Sequence, residues 1–106
     1  MTSRLTPAEI GALLVDLPRW TLDDAGTGIC RDFAFADFRD AFAFMSWIAL
    51  KAEMLNHHPE WKNVYNRVEV RLSTHEFGGV SLRDVELAQA MEKIEARLLP
   101  PPPSPT

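Results

Sequence analysis

The chain has 106 residues, with 11 basic and 15 acidic side chains and a net charge of −4. That length fits one domain with a modest core, which a partner subunit would help to stabilise. The acidic balance argues against a domain that grips nucleic acid by its own charge.

Thr6-Pro7-Ala8-Glu9 starts a helix. Thr6 can cap it, Pro7 suits the first helical position, and Glu9 can reach back to the Thr6 N–H. Ile10, Leu13 and Leu14 share one side, and the helix should end near Leu17-Pro18. Residues 20–23 look like a short strand, and residues 24–28 are a turn cluster with two glycines. Residues 29–35 then alternate. Ile29, Arg31, Phe33 and Phe35 fall on one face, and Cys30, Asp32 and Ala34 on the other. Two strands around such a turn read as a hairpin. Cys30 is the single cysteine, so no internal disulfide can form. With no His or Lys beside it in sequence, it reads as a buried small residue.

Asp37 can cap a long helix over residues 38–56. Phe38, Ala41, Phe42, Met45, Ile48, Ala49, Ala52 and Leu55 recur at helical spacing and form the expected core stripe. Phe44, Trp47, Leu50 and Met54 fall outside it, and one sheet cannot cover both faces. Either a second subunit or the other helices must cover the remainder. Arg39, Asp40, Lys51 and Glu53 interrupt the stretch, so it is no membrane span. No secretory-type opening precedes it. The expectation is a soluble protein of a reducing cytoplasm.

Pro59 closes that helix at Asn56-His57-His58. Residues 64–72 alternate, with Val64, Val68, Val70 and Leu72 apolar and a break at Asn66 that divides two strands. Such a sheet has one face on the helices and one in water. Ser81 caps a third helix, with Asp84 in its first turn. Val85, Leu87, Ala88, Met91, Ile94 and Leu98 line that helix's apolar side. Residues 1–99 read as a single domain. Residues 100–106 hold five of the eight prolines and read as a disordered tail.

His57, His58 and His75 are the three histidines of the chain, and all sit at the ends of elements. A rigid scaffold presents side chains to a ligand at such places. Histidine titrates near neutrality, so a pair can supply an acid and a base. Three histidines also suit zinc, although the helical i, i+4 pair of a zinc protease is absent. Glu53 lies one helical turn before His57 and could orient its imidazole. Asp84 fits either a helix's first turn or a site. Trp61 and Tyr65 could stack on a flat heteroaromatic ligand or belong to the core.

Glu53, His57-His58-Pro59, Trp61, Tyr65, His75 and Asp84, in the stretch AEMLNHHPEWKNVYNRVEVRLSTHEFGGVSLRD, resemble the signature of the pterin-4a-carbinolamine dehydratases. The resemblance runs more weakly from about Leu14 to Leu98. It implies an α+β fold, α-β-β-α-β-β-α, with a four-stranded antiparallel sheet and three helices on one face. It implies a 4a-hydroxytetrahydrobiopterin dehydratase that removes water from a 4a-hydroxytetrahydropterin to give quinonoid dihydropterin, without metal or other cofactor. His57 and His75 are similar to that family's acid–base pair, and His58 to the histidine that chiefly holds the pterin. Glu53 is similar to the supporting carboxylate, Pro59 and Trp61 to a loop shaping the pocket, and Asp84 to the family aspartate. Backbone groups around Ser73 and Thr74 are implied to read the pterin's polar edge. The resemblance further implies a homodimer through a sheet edge, or a homotetramer through the long helix, with no direct nucleic-acid or membrane contact. Two other functions fit the same residues: a dimerisation cofactor for a transcription factor, or an enzyme acting on another pterin, such as one of molybdenum-cofactor metabolism.

Overall fold

The computed structural model describes residues 3–101. Most of the expected proline-rich tail therefore lies outside the described residues. The elements follow in the order α1 (Pro7–Leu14), β1 (Thr21–Leu22), β2 (Ile29–Ala34), α2 (Phe38–Leu55), β3 (Glu60–Val64), β4 (Arg67–Leu72), a 3₁₀ turn (His75–Phe77) and α3 (Leu82–Glu95). The four strands form one antiparallel sheet in the order β1-β2-β4-β3. This is the α+β arrangement read from the sequence.

The local signals explain the element starts. Thr6 and Glu9 make a reciprocal capping box on α1, and Ser81 and Asp84 make another on α3. The Asp37 side chain accepts the Asp40 N–H at the start of α2. Helix α1 ends at Leu14, three residues before the expected end near Leu17. The strand β3 starts at Glu60, earlier than the alternation suggests, and Val64 is exposed. Tyr65 and Asn66 form the turn to β4, with Tyr65 in the left-handed region at φ 49°. Two Asn63 side-chain bonds, to the carbonyls of Tyr65 and Arg67, close that turn.

The helices cover one face of the sheet. Ile29, Phe33, Val68, Val70 and Leu72 bury themselves there against Ala41, Phe44 and Ile48 of α2 and Val85, Leu87, Ala88 and Met91 of α3. The phase of α2 differs from the expected stripe. Phe44 is fully buried, with its ring 4.7 Å from Phe33 and 4.9 Å from Phe35, while Phe38, Phe42 and Ala49 are exposed. A helix that is apolar nearly all round does not define its own phase; contact with the sheet selects it. Trp47, Leu50 and Met54 remain exposed, as the second apolar set.

Arg31 shares the buried face of β2 with Phe33, where a charge needs partners. Its guanidinium pairs with Glu92 and Glu95 of α3 and lies 3.9 Å above the Phe33 ring. The Trp20 indole N–H donates to the same Glu92 at 2.9 Å. One polar cluster thus ties the residue before β1, strand β2 and α3 together. Cys30 points to the open face and is half-buried, rather than buried as its size suggests. Burial pushes its thiol up, assisted by the nearby Asp23 charge, which keeps it a poor nucleophile.

Candidate active site

Sheet register brings the histidines together. Glu60 pairs with Arg71, so the start of β3 lies beside the end of β4. The residues just before β3, His57 and His58, therefore face those just after β4, Ser73 to His75. Asn56, His57, His58, Ser73, Thr74, His75, Glu76 and Arg83 line a cleft of about 360 Å³ at this end of the sheet.

Asn56 ends α2 in the left-handed conformation, at φ 51° and ψ 45°. This reversal sends the two adjacent histidines in different directions. His57 is buried, and its Nε2 lies 2.5 Å from Oδ1 of the fully buried Asp84. His58 is exposed, and its Nε2 lies 2.5 Å from Glu53 Oε2. Glu53 thus supports His58 instead of His57. The i, i+4 relation that joins Glu53 to His57 in sequence lapses because the helix stops at Leu55.

Asp84 is held on both oxygens. Its Oδ2 accepts the Thr74 hydroxyl at 2.8 Å and the Ser81 N–H at 2.9 Å. The Thr74 and Ser81 hydroxyls meet at 2.5 Å. The same aspartate is the reciprocal partner in the α3 capping box, so it caps the helix and bonds His57 at once. His75 opens the 3₁₀ turn and is exposed at the cleft. The Ser73 hydroxyl turns the other way and donates to the Thr27 carbonyl at 2.6 Å. Among the described residues, no three His, Cys, Asp or Glu side chains gather closely enough to hold a metal ion.

The remaining expected residues lie outside the cleft lining. Pro59 is half-buried between His58 and β3. Trp61 belongs to β3, packs against the core, and borders a shallow depression with Cys30 and Arg71. Tyr65 sits at the hairpin tip, at the opposite end of β3 from the histidines. Sequence reasoning passed over Arg83 and Glu76, which pair across the cleft wall at 2.5 Å. One signal for Arg83 existed: a basic residue in a helix's first turn opposes the helix dipole and needs another reason to be there.

The cleft thus gathers a buried, carboxylate-bonded imidazole and the exposed His58 on one side and the exposed His75 on the other. The family model for pterin 4 alpha carbinolamine dehydratase matches residues 3–94. A Novosphingobium aromaticivorans protein, provisionally named a pterin-4-alpha-carbinolamine dehydratase, is 57% identical over 90 residues, covering 85% of this chain and 94% of that one. A Rhizobium johnstonii protein with the same provisional name is 53% identical over 94 residues, covering 89% and 93%. The crystal structure of a transcriptional coactivator/pterin dehydratase from Brucella melitensis superposes with a TM-score of 0.86 at 46% identity, covering 88% of this chain and 99% of that one. The chain belongs to the pterin 4 alpha carbinolamine dehydratase family.

Proposed function

We propose that this protein dehydrates 4a-hydroxytetrahydropterins to quinonoid dihydropterins, the step that prepares an oxidised pterin for reduction back to the tetrahydro form. The observation that carries the reading is the convergence of His57, His58 and His75 on one cleft, with His57 locked by Asp84. The chemistry needs two proton transfers. One side chain protonates the hydroxyl at C4a, which leaves as water while the N5 lone pair forms the C=N bond. Another accepts the N5 proton. His57 and His75 serve as this acid–base pair, on opposite walls of the cleft. His58, steadied by Glu53, holds the pterin. Asp84 positions His57. Pro59 and Trp61 act through the backbone they anchor between His58 and β3. The polar edge of the ring is read by backbone groups of the Ser73 to His75 segment.

The test is a dehydration assay that follows the quinonoid product by absorbance. Replacing His57 or His75 by Ala should lower turnover by about 10²–10⁴-fold. Turnover like the wild type's in both variants would reject the roles.

The exposed set Trp47, Leu50 and Met54 of α2 supports an accompanying assembly. These side chains border a groove of about 830 Å³ between α2 and α3. We assign this face to other copies of the same chain, as a homodimer or homotetramer, with the sheet edges β1 and β3 as the second contact. The coactivator role in the name of the Brucella melitensis protein favours a different occupant, a transcription factor held by the same face. Substituting Trp47 and Met54 would then abolish that binding and leave turnover intact.

A further inference from the structure

Asp84 and its neighbours form a hydrogen-bond chain whose direction is determined by chemistry. An ionised carboxylate has no hydrogen to give. The Thr74 hydroxyl, 2.8 Å from Asp84 Oδ2, therefore donates to it. Having spent its one hydrogen, Thr74 Oγ1 can only accept from Ser81 Oγ at 2.5 Å. Ser81 Oγ in turn accepts the Arg83 N–H at the start of α3. The chain runs one way: Arg83 N–H to Ser81, Ser81 to Thr74, Thr74 to Asp84. With Oδ2 so occupied, and also receiving the Ser81 N–H, Oδ1 remains to accept from His57 Nε2. Thr74, Ser81 and Asp84 are all buried, so water does not compete for these bonds.

We infer that Ser81 and Thr74 are positioning residues that orient the Asp84 carboxylate and thereby fix His57 as the Nε2–H tautomer, leaving Nδ1 as the atom that exchanges a proton with the substrate. The inference rests on the dehydratase reading for its substrate but not for its tautomer. The sequence marks Ser81 only as a helix cap; the structure gives its hydroxyl a second task. The N-terminus of α3 supports the anionic end of the chain, because its free N–H groups and dipole favour a carboxylate. The cleft holds other charged and titratable groups near His57: His58 with Glu53, His75, and the Glu76–Arg83 pair. None of them bonds to Asp84 or to His57 Nε2 among the described residues.

The test combines nitrogen-15 NMR of His57 in the intact protein with dehydration kinetics of Thr74→Val, Thr74→Ser and Ser81→Gly. Glycine is a tolerated N-cap, so Ser81→Gly removes the hydroxyl with little loss of helix capping. Above the histidine titration range, wild-type His57 should carry its hydrogen on Nε2. Thr74→Val and Ser81→Gly should each mix the two tautomers. Thr74→Val should lower kcat by about 10-fold, with KM moving less than about 3-fold. Thr74→Ser should recover most of that loss. A hydrogen on Nδ1 in the wild type overturns the inference, whether or not any variant folds. So does a folded Thr74→Val protein with unchanged tautomer and kcat. If the tautomers behave as expected but no pterin is dehydrated, the positioning chain stands and the dehydratase reading falls.

Discussion

Asp84 illustrates how one side chain can cap a helix and hold a buried histidine at once. It is fully buried and accepts from His57, Thr74 and the Ser81 N–H. Replacing it by Ala strands three donors in the interior. Each such donor costs about 1–3 kcal/mol. Asp84→Ala should therefore lower the free energy of unfolding by about 3 kcal/mol or more, with the urea midpoint as the measurement. A midpoint shift worth less than about 1 kcal/mol would mean that water replaces the carboxylate at little cost. In the sequence, Asp84 could be seen as a first-turn acid and as a match to a family aspartate. Its bond to His57 could not, because 27 residues separate the two and only the fold joins them. Glu53 gave the opposite lesson: a local spacing rule linked it to the wrong histidine, since the rule holds only while the helix continues.

Among the elements, strand β4 carries the ties that square the sheet. Arg71 donates to Asp23 at 2.9 Å, to Glu60 at 2.7 Å and to the Thr27 hydroxyl at 2.9 Å, joining the β1–β2 turn to β3. Gly28 leaves room for it; a Cβ there would meet the guanidinium at 2.6 Å. Burial pushes the Asp23 carboxyl up, but the Arg71 bond and the Thr27 and Gly28 N–H groups outweigh it and leave the acid below its ordinary 3.8. A carboxyl whose folded pKa is depressed stabilises the fold fully above its unfolded value. That contribution fades as pH falls through the folded value. Arg71→Met should flatten this loss: between about pH 5 and about pH 3, its urea midpoint should drop less than the wild type's. Parallel drops would show that the pair contributes nothing to acid sensitivity. Element types and order were legible because caps and alternation are local. The phase of α2 was not, since two apolar stripes overlap on it and Phe44 finds its place only against Phe33 and Phe35.

For the whole molecule, the balance of surface and core decides what else is needed. A chain of 106 residues buries a limited share of its surface. Here Trp47, Leu50 and Met54 stay exposed on one helix, beside Phe38 and Phe42. Light scattering at micromolar concentration should find at least a dimer of the 12.0 kDa chain. Leu50→Glu together with Met54→Glu should release single chains without loss of helical circular dichroism. A wild-type protein that scatters only as a 12.0 kDa particle would sink the assembly. That α2 carries more apolar surface than the rest of the chain covers could be read from the width of the apolar band. The location of the candidate cleft could not, because it depends on the β3–β4 register, which places His57 and His58 opposite Ser73 to His75.

The left-handed turn at Asn56 makes the addresses of His57 and His58 depend on counting. The two side chains are chemically identical, and nothing in either one says which should enter the protein. One backbone reversal assigns the inner place to the first and the outer place to the second. Deleting or inserting a single residue within α2 would rotate that reversal by about 100° about the helix axis. His57 would then lose Asp84, which belongs to α3, while Glu53 in the last turn of α2 would move with His58. The segment can change its composition far more freely than its length.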